Sequence, residues 1–474
     1  MVRAMPPNLL LITTDQQRWD TINALGQAGI WTPHLDWLCD SGVAFTNAWS
    51  DCPVCMPART TLMTGQHAYR HGVLSNRWRP DAIDPRRSLP GLLTAAGYQT
   101  RLIGKAHFGP ERVNQGFEHM EIEADYHRAQ RAAGRVAEGH GLGYNEYAPV
   151  VHDLADADTS TGFWTRRTMD FLETRDASRP FFCWLSYEKP HPPLDPTLST
   201  WALYRDRPMP PRITGDWSAT ADAVPPAFAG VTRELCMLDR QDDAKLADIR
   251  RAYWALVSQI DYQLGLLIGR LSELNLLADT WIVFTSDHGE MLGDHFLGGK
   301  CVPFDGSARV PFIIRPPHAA RDHRQSWRGT QCAAPVTLAD VLPTLLGAAG
   351  VTAPAADGVD AMRLARGELP AREQVFLSCM HLHAVVAGRW KLCRETIAVS
   401  ELLFDRERDP EERHDLLRAG THADVAAALR NVLNRHLAEH HLTGPEAVSD
   451  PAAPKTLADL GRNLHPGWSS RRRG

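Results

Sequence analysis

Five short apolar, β-rich runs, Asn8–Thr13, Thr100–Ile103, Phe181–Tyr187, Trp281–Thr285 and Pro311–Ile314, are spaced along the chain by stretches of helical character. That alternation predicts a large, mostly parallel sheet flanked by helices on both faces. The clearest helix carries Leu246, Ile249, Tyr253, Leu256, Val257, Ile260, Leu264, Leu267 and Leu271, mostly three and four apart, an apolar stripe leading into the Trp281 run. Val336–Leu346 reads as another helix, followed by the loop-like Gly350–Gly358. At 474 residues the chain exceeds one ordinary domain. A boundary near residue 365 divides it into an α/β unit over 1–365 and a smaller C-terminal α+β subdomain and tail over 366–474. In the latter, Val375–Ser378, Ala384–Val386 and Trp390–Cys393 read as short antiparallel strands, and Thr421–Glu439 as a closing helix. Leu203–Gly230, rich in proline and aperiodic, reads as a surface excursion at a pocket entrance.

Polar groups recur where the predicted strands end. The first run is followed by Asp15 and Gln16, the second by Lys105 and His107, the third by Lys189 and His191, and the fourth by Asp287 and His288. Sites in open α/β sheets form outside the carboxyl ends of the strands, so recurrence at successive ends outweighs the ordinary expectation of a solvated loop residue. Asp15, Gln16, Asp287 and His288 offer hard oxygen ligands and one imidazole, a set suited to Ca²⁺, Mg²⁺ or Mn²⁺ rather than to a thiolate zinc site. Such a cation polarises an S–O or P–O bond and orients a nucleophile beside it.

The segment Asp51 to Gly65 reads as a loop running into a short helix, with Pro57 in its first turn and Gly65 just past its end. Cys55 falls at the helix N-terminus, where free amides stabilise an anionic nucleophile, with Arg59 one turn on. Cys52 and Cys55 also form a C-x-x-C pair, the spacing of a thioredoxin-type redox site, although the surrounding sheet is larger than a thioredoxin unit. A zinc knuckle needs a second ligand pair, which is missing. Two buried structural cysteines are the plainest reading, and one that suits Cys52.

A formal net charge of -5 gives nucleic acid or an anionic membrane no purchase, and Arg471–Arg473 reads as a solvated tail. The first apolar run, Leu9–Ile12, is too short for a signal peptide or membrane span, so a cytoplasmic location is expected, and the nine cysteines are expected to be reduced. The apolar residues of Gly461–Trp468 suit docking on a neighbouring copy, which keeps a homo-oligomer open.

At Cys55 the chain resembles a known family. Cys55-Met56-Pro57-Ala58-Arg59 is similar to the C-x-P-x-R sequence of type I sulfatases of the alkaline phosphatase superfamily, and Thr60 to Gly65 continue that signature. Gly104-Lys105-Ala106-His107 resembles the family's G-K-x-H motif and Lys189-Pro190-His191-Pro192-Pro193 its K-P-H-x-P motif; Asp15 follows the first strand as the family's first metal aspartate does. Ser286 to Glu290, Gly299-Lys300 and Arg309-Val310-Pro311 follow in the family's order, and Arg389 to Leu392, Leu403 to Asp405 and Asp409 to Glu411 look like its small C-terminal subdomain. The strings weigh far more together than singly.

The resemblance implies a sulfuric ester hydrolase acting on an aryl or small alkyl sulfate. Its implied cofactors are formylglycine, made from Cys55 by a formylglycine-generating enzyme, and one divalent cation, calcium first, with manganese or magnesium also suiting. The cation's ligands would be Asp15, Gln16, Asp287, His288 and the converted residue 55. One hydroxyl of the hydrated aldehyde, held by Arg59, would attack sulfur to give a covalent sulfo-enzyme. Lys105 and Lys300 would neutralise the sulfuryl oxygens, His191, together with Lys300, would protonate the leaving group, and His107 would take the proton that lets sulfate depart. Asn76 stands where related hydrolases contact substrate, although a lone loop asparagine is more often a turn residue. Leaving-group specificity would lie in loops such as Tyr126–Glu146 and Trp201–Gly230. One departure bears on the substrate: many sulfatases follow the first strand with two aspartates, whereas this chain has Asp15-Gln16. The neutral amide resembles phosphonate monoester hydrolases and choline sulfatases, which keeps a phosphonate monoester or phosphodiester hydrolase as the alternative. A binding protein that has kept the fold without the chemistry is the reading from a different class.

Overall fold

The computed structural model describes residues 5–26, 29–135, 142–229, 236–317, 329–396 and 399–442. Its strands in chain order are β1 Asn8–Asp15, β2 Val43–Phe45, β3 Ala48–Trp49, β4 Gln99–Gly104, β5 His119–Glu121, β6 Phe181–Pro190, β7 Thr280–Ser286, β8 Phe312–Arg315, β9 Thr330–Cys332, β10 Val336–Thr337, β11 Gln374–Cys379, β12 Leu382–Ala387, β13 Trp390–Glu395 and β14 Ser400–Asp405. An eight-stranded sheet runs in the order β5-β4-β6-β1-β7-β8-β2-β9. Pairing is parallel from β5 through β7, β8 is antiparallel to both its neighbours, and β2 and β9 are parallel.

The central strands read as continuous apolar runs because helices bury both of their faces. On one face Leu9 and Leu11 pack with Phe182, Trp184, Trp281 and Val283; on the other Leu10 and Ile12 pack with Phe181, Cys183, Leu185, Ile282 and Phe284. A buried residue of this kind contributes about 1.5–3 kcal/mol relative to exposure. Ile260, Leu264, Leu267 and Leu271 of the helix Asp243–Glu273 cover the second face, and the Asp242 carboxylate caps that helix at the amide of Lys245, 2.8 Å away. The first face carries Ala58, Leu62 and Met63 of the helix Cys55–Thr64. No described helix is long and apolar enough to cross a membrane.

One expectation is corrected and another refined. Of Val336–Leu346, only Val341 onward is α-helical: Val336–Thr337 pairs with β3, and Leu338–Asp340 is a 3-10 turn. The Asp340 carboxylate accepts from the amides of Thr337 (2.8 Å) and Val359 (2.7 Å), a local alternative that outcompetes the first helical turn. The stretch from Leu203 to Gly230, described as far as Ala229, runs over the surface for most of its length, as expected, but is pinned there by a few buried apolar residues. Trp217, Val224, Phe228 and Ala229 are buried with Phe304, Leu377 and Phe404, and the Trp217 indole donates to the Glu412 carbonyl at 2.7 Å. Its apolar residues lack a period because the chain around them is irregular, so sequence pattern could not place them.

β11 to β14 form an antiparallel meander, one strand more than the sequence predicts, closed by the helix Ala423–Glu439. Lys391 on β13 is fully buried and ties this meander to the large sheet's side of the molecule. Its ammonium lies 2.8 Å from Asp305 and 2.6 Å from Glu412. Removing one partner of such a pair leaves buried charge uncompensated. Lys391→Met is therefore expected to cost about 3–5 kcal/mol, read as an earlier denaturant midpoint; an unchanged midpoint would show that the pair adds nothing.

Candidate active site

β1 and β7 pair in register up to Thr14 and Ser286, so the next residue of each, Asp15 at the end of β1 and Asp287 just past the end of β7, falls at the same end of the sheet. The Gln16 amide donates to Asp287 Oδ1 at 3.1 Å and the Asp287 amide to the Thr14 carbonyl at 3.2 Å, which locks the two turns together. β4 ends beside them. A Cβ at Gly104 would stand 2.0 Å from the Ser186 carbonyl oxygen, so only glycine allows the turn that delivers Lys105. β6 continues to Pro190 and delivers His191, held from behind by Lys189, which pairs with Asp195 and donates to the Pro193 carbonyl at 2.8 Å.

Cys55 opens the helix Cys55–Thr64 above these ends, buried to 1 % exposure, after Val54 in extended conformation. Its sulfur lies 3.0 Å from Lys300 Nζ, 3.3 Å from His288 Nε2 and 3.9 Å from Asp15 Oδ1. Arg59, fully buried one turn on, donates to Asp287 Oδ2 at 3.1 Å and to the Lys105 carbonyl and Ser186 Oγ at 2.8 Å each. Lys105 Nζ sits 2.6 Å from Asp15 Oδ2. Burial and the Asp15 carboxylate push the Cys55 thiol up, but Lys300, Lys105 and His288 outweigh them and hold it well below the ordinary thiol range. Cys52, three residues earlier, is raised by burial and packs with Val54, Ala68, Cys301 and Cys379. The two cysteines of the C-x-x-C pair thus occupy different environments, and all nine cysteines are free.

Asp15, Cys55, Asp287 and His288, all buried, bring ligand atoms within 4.8 Å of one another. This set fits a divalent cation. His288 Nδ1 faces the Gly289 carbonyl at 2.9 Å, and a carbonyl only accepts, so Nδ1 carries a proton and Nε2 is the nitrogen turned toward the other three groups. Burial, with Asp15 and Cys55 alongside, pushes the Asp287 carboxyl up to about 6 against the pull of His288 and Arg59.

The structure brings together Asp15, Gln16, Cys55, Arg59, Lys105, Asp287, His288 and Lys300. Burial, with Lys300 and Lys105, holds His191 well below the usual imidazole range, and its Nδ1 faces the Pro192 carbonyl at 2.7 Å. Asn76 supports the helix start: its Oδ1 accepts from the Met56 amide at 3.1 Å. His107, half-buried with a left-handed backbone (φ 52), keeps a buried Nδ1 without a hydrogen-bond partner.

Sequence reasoning passed over Glu290. Its Oε1 accepts from the amides of Leu292 (2.7 Å) and Gly299 (2.5 Å), and its Oε2 accepts from the Tyr147 hydroxyl (2.6 Å) and from Gln16 Nε2. Because the Gln16 amide nitrogen is fixed there, its Oε1 turns to Lys300 Nζ, 2.9 Å away. The negative charge absent from position 16 therefore stands one hydrogen bond further back. Glu290 sat in view beside Asp287 and His288, but nothing in the spacing signalled its reach to Tyr147 or Gly299.

The family model described as Sulfatase matches residues 7–351. An arylsulfatase of Clostridium perfringens is 29% identical, the match covering 91% of this chain and 95% of the relative. A choline-sulfatase of Rhizobium meliloti is 31% identical, covering 86% and 82%. The phosphonate monoester hydrolase of Agrobacterium radiobacter superposes with a TM-score of 0.77 at 27% identity, covering 92% of this chain and 96% of that one.

Proposed function

The chain belongs to the sulfatase family, and on that premise we propose that it hydrolyses aryl or small alkyl sulfate monoesters with formylglycine made from Cys55 and one divalent cation, calcium first. The carrying observation is the Cys55 sulfur, set at a helix start within 3.0 Å of Lys300 and 3.3 Å of His288 beside the Asp15 carboxylate. In the family's chemistry the hydrated aldehyde supplies both an attacking hydroxyl and a second one through which sulfate is expelled, and the cation supplies charge neutralisation. Asp15, Asp287, His288 and residue 55 would hold that ion, with the Gln16 carbonyl beside them.

This chain's residues do the rest. Lys105 and Lys300 bind the sulfuryl oxygens as cations, and Arg59 holds Asp287 and the helix start in place. His191 carries the proton for the departing alkoxide: its Nδ1–H is committed to the Pro192 carbonyl, so the transferable proton is the one on Nε2. Burial and the two lysines keep His191 neutral until an anionic ester between those lysines supplies the opposing charge. His107, its Nδ1 without a partner, takes the last proton. The chemistry is assigned to a catalytic unit over 1–365, with 366–474 as the C-terminal subdomain and tail.

Mass analysis of the Cys55 peptide from the native host tests the nucleophile. The expected form has lost two hydrogens and exchanged sulfur for oxygen; an unmodified thiol in enzyme of full activity would refute it. Calcium added to chelator-treated protein is expected to raise the thermal midpoint, in line with about 2.7 kcal/mol at a hundredfold excess over Kd. A midpoint indifferent to calcium, manganese and magnesium would count against the cation site.

A second reading, phosphonate monoester or phosphodiester hydrolysis with the same nucleophile, is favoured by one observation: Gln16 is held as a neutral amide, with its carbonyl against Lys300.

A further inference from the structure

The irregular stretch ahead of the helix Ser160–Thr174 sends one aromatic ring over the site. Tyr144 is 42% exposed, and its ring centroid lies 5.2 Å from that of His191, tilted by 49°. Lys105 Nζ stands 5.4 Å from the same centroid. The ring therefore spans the space between a lysine assigned to the sulfuryl group and the histidine assigned to the leaving oxygen. Its far end is held by rigid elements: the hydroxyl lies 3.1 Å from Oε1 of Glu123, at the start of the helix Glu123–Ala132, and 3.1 Å from Oε1 of Glu188 in β6. A phenol donates one proton, so two carboxylates converge on a group that bonds one of them at a time. Glu123 also acts electrostatically on Lys105 and Arg59, which places its charge close to the pocket.

We infer, resting on the sulfatase reading above, that Tyr144 determines substrate specificity: its ring is the wall on which the leaving group lies, and Glu123 and Glu188 behind it exclude leaving groups that carry negative charge. A neutral aromatic leaving group stacks on the exposed face. A leaving group bearing a carboxylate or a further sulfate brings like charge toward these two acids.

The test compares 4-(sulfooxy)phenylacetamide with 4-(sulfooxy)phenylacetate, whose methylene insulates the phenol so that the leaving groups match in acidity. The enzyme with converted residue 55 is expected to favour the amide in kcat/KM by about tenfold, and Glu123→Gln to narrow that preference. Tyr144→Ala is expected to raise KM for the amide about five- to tenfold and to change kcat by less than about twofold; Tyr144→Phe keeps the ring and the wild-type KM. Equal kcat/KM for the two substrates in wild type, or an unchanged KM in Tyr144→Ala, overturns the inference. Failure of the sulfatase reading looks different, because neither substrate would then be cleaved.

Discussion

Cys55→Ala is expected to lower kcat/KM on nitrophenyl sulfate by a factor on the order of 10⁵–10⁶, while the thermal midpoint stays near that of wild type. The variant deletes one small functional group from a helix whose start is also held by Asn76 and whose length is held by Ala58, Leu62 and Met63 in the core. Only charge stabilisation by Lys105, Lys300 and their neighbours then remains, without the group that splits one hard step into two. Cys55→Ser adds a sharper expectation. A serine hydroxyl can accept the sulfuryl group but has no second hydroxyl to expel it, so about one equivalent of nitrophenol is released before turnover stalls. A loss below about tenfold in the alanine variant would mean that Cys55 is not the nucleophile.

Lys300→Ala is expected to cost a factor on the order of 10²–10³ in kcat/KM. Its ammonium is the nearest cation to the Cys55 sulfur, at 3.0 Å, and also holds the Gln16 carbonyl at 2.9 Å. Its chain neighbour Gly299 is fixed through the buried carboxylate of Glu290, so the charge is positioned before substrate arrives. Charge that develops on the sulfuryl oxygens is met there without reorganisation, so the loss should fall on kcat as well as on kcat/KM. A change confined to KM would make Lys300 a simple anion-binding group. Initial rates over a range of substrate concentrations separate the two outcomes.

The sheet was legible in the sequence wherever a strand is buried on both faces. Leu9 to Ile12 and Phe181 to Leu185 are apolar at every position because each face has its own core. The strands Val43–Phe45, Ala48–Trp49 and Val336–Thr337 were not legible, since two or three residues cannot display a period. Ser400–Asp405 escaped for a related reason: it opens with Ser400 and Glu401, and Glu401 reaches across to Arg430 on the closing helix. Most of the cluster around Cys55 was legible because its residues lie at strand ends and a helix start, whereas Lys300, in an irregular stretch, was legible only through the family resemblance. Glu290, Ser186 and Tyr144 were not, because their partners lie far away in sequence: Gln16, Arg59 and Glu188 are brought to them by packing alone.

The most direct measurement of the central claim is a set of initial rates on nitrophenyl sulfate, a nitrophenyl phosphonate monoester and a nitrophenyl phosphodiester, with calcium present and the conversion of residue 55 verified on the same preparation. The sulfate is expected to give the highest kcat/KM, and that activity to be lost in Cys55→Ala. A large preference for the phosphonate or the diester, or undiminished hydrolysis by the alanine variant, would contradict that claim.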